Sequence, residues 1–321
     1  MVDKLDCMEK KMWLDKPYYS LNYYLKEIFG EKVYRIALDG YMSCPNRDGR
    51  IGTGGCIFCS EGGSGDFTPH EKKTISEQIE AGKELISKKY KGGKYIAYFQ
   101  AYTNTYASVE YLEKIFTEAI SHPEIVALSI ATRPDCLPED VLELLERLSK
   151  IKPIMVELGL QTIHDKTANF IRRGYELSCF DKAVQELKNR NISVITHLII
   201  GLPGETREDV LASVKYLNKV GVDGVKLQLL HILKNTELAG IYERGECSAM
   251  EMDEYLDLLI ECVEHLSQDI VIHRLTGDGP KKLLVAPVWS GDKKKVLNRL
   301  HMMMKERDSW QGKVLKFLKK E

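Results

Sequence analysis

The chain has 321 residues, of which 44% are hydrophobic and 29% are charged, and its formal net charge is -1. This balance is typical of a globular protein with a sizeable core, and it excludes a disordered chain or one held to nucleic acid by global charge alone. No apolar run approaches a membrane span, and the N-terminal residues lack the apolar core of a signal peptide, so we expect a cytoplasmic protein without membrane contact.

Residues 11–43 are rich in tyrosine. The alternating run 33–38 in this segment predicts the first strand. A loop rich in glycine and cysteine comes next. Thr74 and Glu77 have the spacing of a capping box, which predicts a helix over 74–89.

Strand and helix patterns alternate along the rest of the core. Apolar runs predict five further strands, at 94–100, 125–131, 153–160, 192–200 and 222–230. Helical patterns lie between these strands, at 108–121, 138–150, 178–190 and 206–219. Six strands that alternate with helices imply a parallel sheet with the helices outside it. We therefore predict an α/β fold, a partial (β/α)6 TIM-like barrel with N- and C-terminal extensions.

The C-terminal part adds three further elements. These are an amphipathic helix at 251–266, a strand at 269–273 that closes the core, and a basic helix at 291–308. The predicted division is an N-terminal extension at 1–32, a core at 33–240 and a C-terminal extension at 241–321. The last 31 residues carry eight Lys and two Arg against two Asp and two Glu, a charge of +6. Such a tail can meet phosphate groups or form a solvated helix face.

Three of the eight cysteines, Cys44, Cys56 and Cys59, lie in the loop after the first strand. In a chain of this kind, cysteines are metal ligands or buried apolar residues rather than disulfides. A structural zinc site normally has four ligands, and His70 is the one nearby candidate for the fourth. Three thiolates instead suit a four-iron cluster with one iron open to an external ligand. Both readings stay open from the spacing alone.

The loop resembles that of the radical S-adenosylmethionine (SAM) superfamily, in which three cysteines hold a [4Fe-4S] cluster and SAM binds the fourth iron. Phe58 matches the aromatic residue that this family places near the adenine. The first two cysteines are separated by eleven residues here, whereas the family usually has three. A long loop is shared with the branch that contains the catalytic subunit of the elongator complex.

Similarity to that branch extends over roughly 33–240. The similar segments are Ser129-Ile-Ala-Thr-Arg-Pro-Asp135, Leu158-Gly-Leu-Gln161, Arg172-Arg173-Gly174 and Asp223-Gly-Val-Lys226. Two positions depart from the branch, since Ala131 replaces a glutamate and Tyr175 replaces a histidine. The chain is identified as a member of the YhcC/YtqA-like branch, which lacks the acetyltransferase domain of the elongator subunit.

The resemblance implies a set of cofactor contacts. Arg173 is expected to bind the SAM carboxylate through its planar guanidinium. Gln161 and His197 are expected near the ribose or the methionyl group, with a capped strand end and a structural histidine as the alternatives. Asn104 and the backbone near Gln100 are expected to bind the SAM amino group, where the family has Gly-Gly-Glu.

Three cations are candidate substrate contacts: Arg133, Lys226 and Arg274. Arg133 either pairs with Asp135 to fix the end of the third strand or lines the pocket. Arg274 could clamp a substrate carboxylate. Cys136 is either a hydrogen donor or an inert buried thiol.

The resemblance also implies the chemistry. A reduced cluster cleaves SAM to a 5′-deoxyadenosyl radical, which removes hydrogen from the substrate, and an external donor of flavodoxin or ferredoxin type supplies the electron. The branch points to tRNA wobble uridine, with a carboxymethylaminomethyl side chain converted to aminomethyl. The basic tail, the tyrosines, Trp289 and Trp310 suit RNA binding. Alternatives are a small-molecule or protein substrate, methyl or methylthio transfer, and a zinc-stabilised RNA-binding module without catalysis.

Overall fold

The computed structural model describes residues 9–63, 73–88, 90, 93–277 and 279–315. His70 and the last residues of the basic tail lie outside these ranges, so the proposed zinc ligand is not tested.

Seven parallel strands form the main sheet, in the order β1-β2-β3-β4-β5-β6-β8. Their bounds are β1 (Tyr34–Leu38), β2 (Tyr95–Phe99), β3 (Ile125–Thr132), β4 (Ile154–Gln161), β5 (Ser193–Ile200), β6 (Gly224–Leu229) and β8 (Val271–Arg274). A small antiparallel pair joins β7 (Ile232–Leu233) to β9 (Leu284–Ala286). The predicted strands and the partial-barrel fold are confirmed, and the C-terminal region contributes the seventh strand.

The sheet is curled into an open barrel whose edges are β1 and β8. Arg35 on β1 and His273 on β8 nevertheless meet across the opening, with 2.8 Å between Nη2 and Nδ1. The curl therefore brings side chains from both edge strands into one interior.

Ten α-helices are present in the described residues. They are α1 (Leu21–Phe29), α2 (Ile75–Ser87), α3 (Val109–Ser121), α4 (Glu139–Ser149), α5 (Asp165–Phe170), α6 (Leu177–Asn189), α7 (Arg207–Val220), α8 (Glu237–Glu243), α9 (Met252–His265) and α10 (Lys293–Glu306). The capping box of Thr74 and Glu77 is formed at the start of α2, as predicted. The short helices α1, α5 and α8 and the β7–β9 pair were not predicted.

The first and last described segments of the chain pack together beside β8. Tyr19 N donates to Gln311 Oε1 at 2.8 Å, and Gln311 Nε2 donates to the carbonyl of Ile270 at 2.8 Å. Trp310 is only 9% exposed, and Trp289 Nε1 donates to the Met250 carbonyl at 3.0 Å. The burial of Trp310 contradicts its interpretation as an RNA-stacking residue, whereas Trp289 is half-buried against the core. No helix in the described ranges is long and apolar enough to cross a membrane.

Candidate active site

The cysteine loop lies at the C-terminal end of β1 and folds back on itself. Ile51 N donates to the Pro45 carbonyl at 2.8 Å, and Gly55 N donates to the Asn46 carbonyl at 2.7 Å. Gly49 and Gly55 have φ of +93° and +74°, values that favour glycine. These contacts fold the eleven residues between Cys44 and Cys56 into a compact loop.

The environment of Cys56 keeps its thiol neutral in the absence of a cation. Burial, with a further contribution from Cys59, raises the pKa of Cys56 to about 12. Asn46 Nδ2 lies 3.6 Å from Cys56 Sγ, and the Arg172 carbonyl lies 3.5 Å from it. A metal that binds here must displace the proton, so its affinity should rise with pH.

Cys44, Cys56 and Cys59 are all free thiols of intermediate burial. Among the residues that the structure describes, no three Cys, His, Asp or Glu side chains could hold one metal ion together. A four-iron cluster has a different requirement, because its three thiolates bind separate iron atoms. These thiols are the donors in the loop that could hold such a cluster.

A cavity of about 760 Å³ opens at the C-terminal ends of the strands, directly beside the loop. Six of the predicted site residues line it: Phe58, Cys59, Gln100, His197, Lys226 and Arg274. Five cationic side chains line it, namely Arg35, Lys226, Arg274, Lys281 and Lys293, and the described lining contains no Asp or Glu. The cavity is therefore suited to an anionic ligand.

A buried carboxylate, Glu157, lies at the floor of the barrel and is 0% exposed. Its Oε1 accepts a hydrogen bond from Ser129 Oγ at 2.7 Å and lies 3.3 Å from Arg35 Nη1. Its Oε2 lies 2.9 Å from His197 Nε2 and contacts Lys226 Nζ. Both carboxylate oxygens of Glu157 thus have polar partners, as a buried charge requires.

Each strand of the main sheet contributes one side chain to the same polar layer. Its members are Arg35, Tyr98, Ser129, Glu157, His197, Lys226 and His273, from β1 to β8 in sheet order. Lys226 Nζ donates to Tyr98 Oη at 3.0 Å, which links β6 to β2 across the barrel. Most of this layer was missed in the sequence, although a glutamate inside an apolar strand was a usable signal.

The layer sets the protonation states around it. Burial alone would raise the pKa of Glu157, but Lys226 and Arg35 hold it well below its usual range. Burial lowers the pKa of Lys226 to about 7, against the attraction of Glu157. Burial and Lys226 lower the pKa of His197 to about 4, and burial and Arg35 lower that of His273 well below its usual value. Both imidazoles are therefore neutral at neutral pH.

We expect the His197→Gln variant to lose part of the acid sensitivity of folding. The unfolded chain binds a proton at His197 near pH 6.5, whereas the folded chain does so only near pH 4. Stability from the neutral imidazole is complete above pH 6.5 and declines towards pH 4, by roughly 2–3 kcal/mol in total. Urea unfolding at several pH values should show a flatter profile for the variant across this window, and an unchanged profile would contradict it.

The end of β4 holds Gln161 in a conformation unusual for that residue. Its φ is +63°, in the left-handed region, and its Oε1 accepts from Tyr175 Oη at 3.2 Å. A Cβ at Gly159 would lie 2.6 Å from Gln161 Nε2, so glycine there leaves room for the side chain. The surrounding residues thus hold the Gln161 amide in place.

Arg173 is 1% exposed and is largely used by the protein itself. Nη1 donates to the carbonyls of Leu160 and Thr162 at 3.1 and 2.6 Å, and Nε donates to the Tyr175 carbonyl at 3.1 Å. In the described structure Nη2 is buried without a hydrogen-bond partner. Nη2 of Arg173, the residue predicted to bind the SAM carboxylate, is therefore available as a hydrogen-bond donor.

In the part of the chain that the structure describes, Asn104 has an unpaired hydrogen-bond acceptor, whereas Arg173 has an unpaired donor. The side chain is 0% exposed, and its Nδ2 donates to the Ala131 carbonyl at 2.8 Å. Within the described residues Oδ1 has no partner. This oxygen is an acceptor without a donor, as a site for an ammonium group requires.

Arg133 pairs with Asp135, the structural role that was one of its two predicted alternatives. Its Nε and Nη2 bind Asp135 at 2.9 and 2.8 Å, and Nη1 donates to the Arg173 carbonyl at 2.9 Å. The guanidinium joins the segment after β3 to the loop between α5 and α6, and it does not line the main cavity. Cys136 lines a separate cavity of about 670 Å³ with Cys179, away from the main cavity.

Comparison with known proteins agrees with this geometry. The radical SAM superfamily model matches residues 47–217, and the Radical_SAM C-terminal domain model matches residues 222–306. The chain is 42% identical over 307 residues to the protein YtqA of Bacillus subtilis (strain 168), covering 96% of this chain and 95% of that one.

Two further similarities concern relatives of the elongator subunit. The chain is 30% identical over 183 residues to the tRNA uridine(34) acetyltransferase of Methanocaldococcus jannaschii, covering 56% of this chain and 33% of that one. The archaeal Methanocaldococcus infernus Elp3 structure with an N-terminal deletion superposes with a TM-score of 0.66 and 20% identity, over 87% of this chain and 64% of that one. The chain is therefore a member of the radical SAM superfamily, in its YhcC/YtqA-like branch, a family of enzymes that use a [4Fe-4S] cluster and SAM.

Proposed function

We propose that Cys44, Cys56 and Cys59 hold the [4Fe-4S] cluster. Three free thiols in one loop are the soft donor set that iron–sulfur clusters use, and one iron then remains for SAM. Phe58 and Cys59 line the main cavity, so the loop adjoins the space in which a substrate would bind.

The predicted SAM contacts fit the polar ends of that cofactor. Asn104 Oδ1 is an unpartnered buried acceptor for an ammonium group, and Arg173 Nη2 is an unpartnered buried donor for a carboxylate. Phe58, Gln100 and His197 line the cavity that would receive the adenosyl part. When bound and reduced, the cofactors supply the radical that removes a hydrogen atom from the substrate.

The chain's own residues contribute binding, orientation and exclusion of water. The polar layer closes the floor of the cavity with side chains that are already paired, so they need not rearrange when a ligand binds. Lys226 and Arg274 are neighbours in the β6–β8 register and both line the cavity, where they can bind an anionic group of the substrate.

We further propose that the substrate is the wobble uridine of tRNA with a carboxymethylaminomethyl side chain. The observation that carries this proposal is the cationic lining of the main cavity, which suits the side-chain carboxylate and nearby phosphates. Support also comes from the tRNA uridine(34) acetyltransferase, to which the radical SAM region of the chain is similar.

The product would be aminomethyluridine. One hydrogen atom leaves the glycine-like carbon, and one electron and the N–H proton follow, which leaves an imine. Water then hydrolyses the imine to the amine and glyoxylate. The balance requires a one-electron acceptor of the iron–sulfur or flavin class in addition to the hydrogen acceptor. The enzyme would also need an external electron donor of flavodoxin or ferredoxin type.

Mass spectrometry of tRNA nucleosides from cells with and without this protein tests the proposal. We expect carboxymethylaminomethyluridine to accumulate in its absence and aminomethyluridine or its descendants to disappear. An unchanged wobble uridine would remove this nucleoside as the substrate and would leave the radical chemistry intact. Loss of a methylated or methylthiolated nucleoside instead would favour the transfer alternatives.

A further inference from the structure

Five lysines lie on two short segments that reach the main cavity. Lys281 and Lys293 line the cavity together with Cys59, and Lys282, Lys294 and Lys295 are their exposed sequence neighbours. We call these five residues the lysine rim. It brings together two segments, the loop before β9 and the first turn of α10, that lie eleven residues apart in sequence.

The basic tail divides into two electrostatically different parts. Further along the chain, Arg299 pairs with Asp253 at 2.7 Å and Lys313 pairs with Glu264 at 3.5 Å, while Arg307 contacts Asp257. These acids lie on α9, so they neutralise three cations of the described tail after the first turn of α10. Within the described residues, the phosphate-binding potential of the tail is thereby concentrated at its beginning.

The lysine rim differs from that distal part. In the portion of the chain that the structure describes, no carboxylate pairs with Lys281, Lys282, Lys294 or Lys295. Asp292 caps α10 by accepting from Lys295 N at 3.0 Å, which places its carboxylate on the backbone of the first turn. The positive charge of these four exposed lysines is therefore directed to solvent.

This arrangement is unfavourable for the isolated fold. The first turn of α10 has three lysines and no acidic residue, although the positive end of the helix dipole favours acids there. Like charges in the adjacent loop add repulsion. A pattern that opposes local stability and lies at a cavity mouth indicates a negatively charged ligand.

We propose that the lysine rim binds the phosphate backbone of an RNA strand whose modified nucleotide enters the cavity. This inference rests on the proposed function and deepens it. The rim contains lysines only, and these flexible point charges suit a mobile polyanionic backbone. An acidic protein surface presents planar carboxylates, for which the bidentate fork of arginine is better suited. RNA is therefore the favoured partner.

The test compares two fourfold variants of the full chain with equal change in net charge. The first carries Lys281→Gln, Lys282→Gln, Lys294→Gln and Lys295→Gln. The control carries Lys114→Gln, Lys215→Gln, Lys219→Gln and Lys305→Gln, all at exposed positions away from the rim. The probe is tRNA from cells that lack this protein, and its binding is measured by fluorescence anisotropy at several salt concentrations.

We expect the rim variant to bind at least ~10-fold more weakly and its salt slope to fall by about two to three, because each lost phosphate contact contributes about 0.7. The control should keep the wild-type affinity and slope. Polyuridylate should displace tRNA, whereas polyglutamate should not. A thermal midpoint for each variant checks folding, and the double variant Lys281→Gln, Lys282→Gln provides a smaller change confined to the loop.

Several results would overturn the proposal. Wild-type binding by the rim variant would exclude the rim while leaving tRNA as substrate. Equal losses in both variants would indicate unspecific charge attraction. Displacement by polyglutamate would indicate an acidic polypeptide partner. No binding of tRNA by the wild-type chain, even at low salt, would remove the RNA substrate itself.

Discussion

Replacing Cys56 with alanine is expected to abolish SAM cleavage and to remove most of the bound iron. Cys56 is one of only three thiols in the loop, and a cluster with two protein ligands is not retained. The rate of 5′-deoxyadenosine formation should fall on the order of 10³-fold or more, and the absorbance of the reconstituted cluster should be lost.

The matched control is Cys247→Ala, which removes a half-buried thiol that lines a different cavity, between β5 and α9. This variant should bind iron and cleave SAM as the wild type does. Full iron content in the Cys56→Ala variant would show that the loop does not hold the cluster. One equivalent of zinc in the purified wild type, without SAM cleavage after anaerobic reconstitution, would favour the zinc-site alternative.

The second large effect is expected from Glu157→Leu. This change leaves the Lys226 amine and the largely buried guanidinium of Arg35 without their carboxylate partner. Removing one partner from a buried ion pair costs roughly 3–5 kcal/mol, so the thermal midpoint of a chain of this length should fall by about 5–7 °C. Differential scanning calorimetry measures this shift directly.

The double variant Glu157→Leu with Lys226→Met separates charge from packing. Because the second change removes a buried polar amine that has lost its partner, the double variant should be more stable than Glu157→Leu alone. If the two changes simply add, the loss comes from packing and the polar layer is not held by charge. The expected coupling would identify Glu157 as the residue that positions Lys226 and His197.

The fold was largely predictable because strand and helix periodicity is a local property. The six core strands begin and end within two residues of the predicted bounds, and the capping box before α2 is formed as predicted. The helices α5 and α8 have six and seven residues, too short for a clear amphipathic period. The β7–β9 pair joins segments about fifty residues apart, which no local pattern could reveal.

The lining of the main cavity was predictable where a sequence motif contains the residue and not where only the fold brings residues together. Phe58, Cys59, His197 and Lys226 line the cavity and were named from their neighbours in sequence, and their roles stay predictions. Glu157 was read as part of an apolar strand, and only the curl of the sheet brings Arg35 to its carboxylate. Arg133 took the predicted alternative, in which it pairs with Asp135 two residues along the chain. Trp289 was harder to interpret from the sequence, because its hydrogen-bond partner Met250 lies 39 residues away.

The most direct test of the central claim is an anaerobic assay of the reconstituted enzyme with SAM, a reductant and tRNA. We predict that tRNA from cells lacking this protein stimulates 5′-deoxyadenosine formation and converts carboxymethylaminomethyluridine to aminomethyluridine in equal amounts. Fully modified tRNA should give neither. Formation of 5′-deoxyadenosine at the same rate with both tRNAs, and without any change in the nucleoside, would contradict the account.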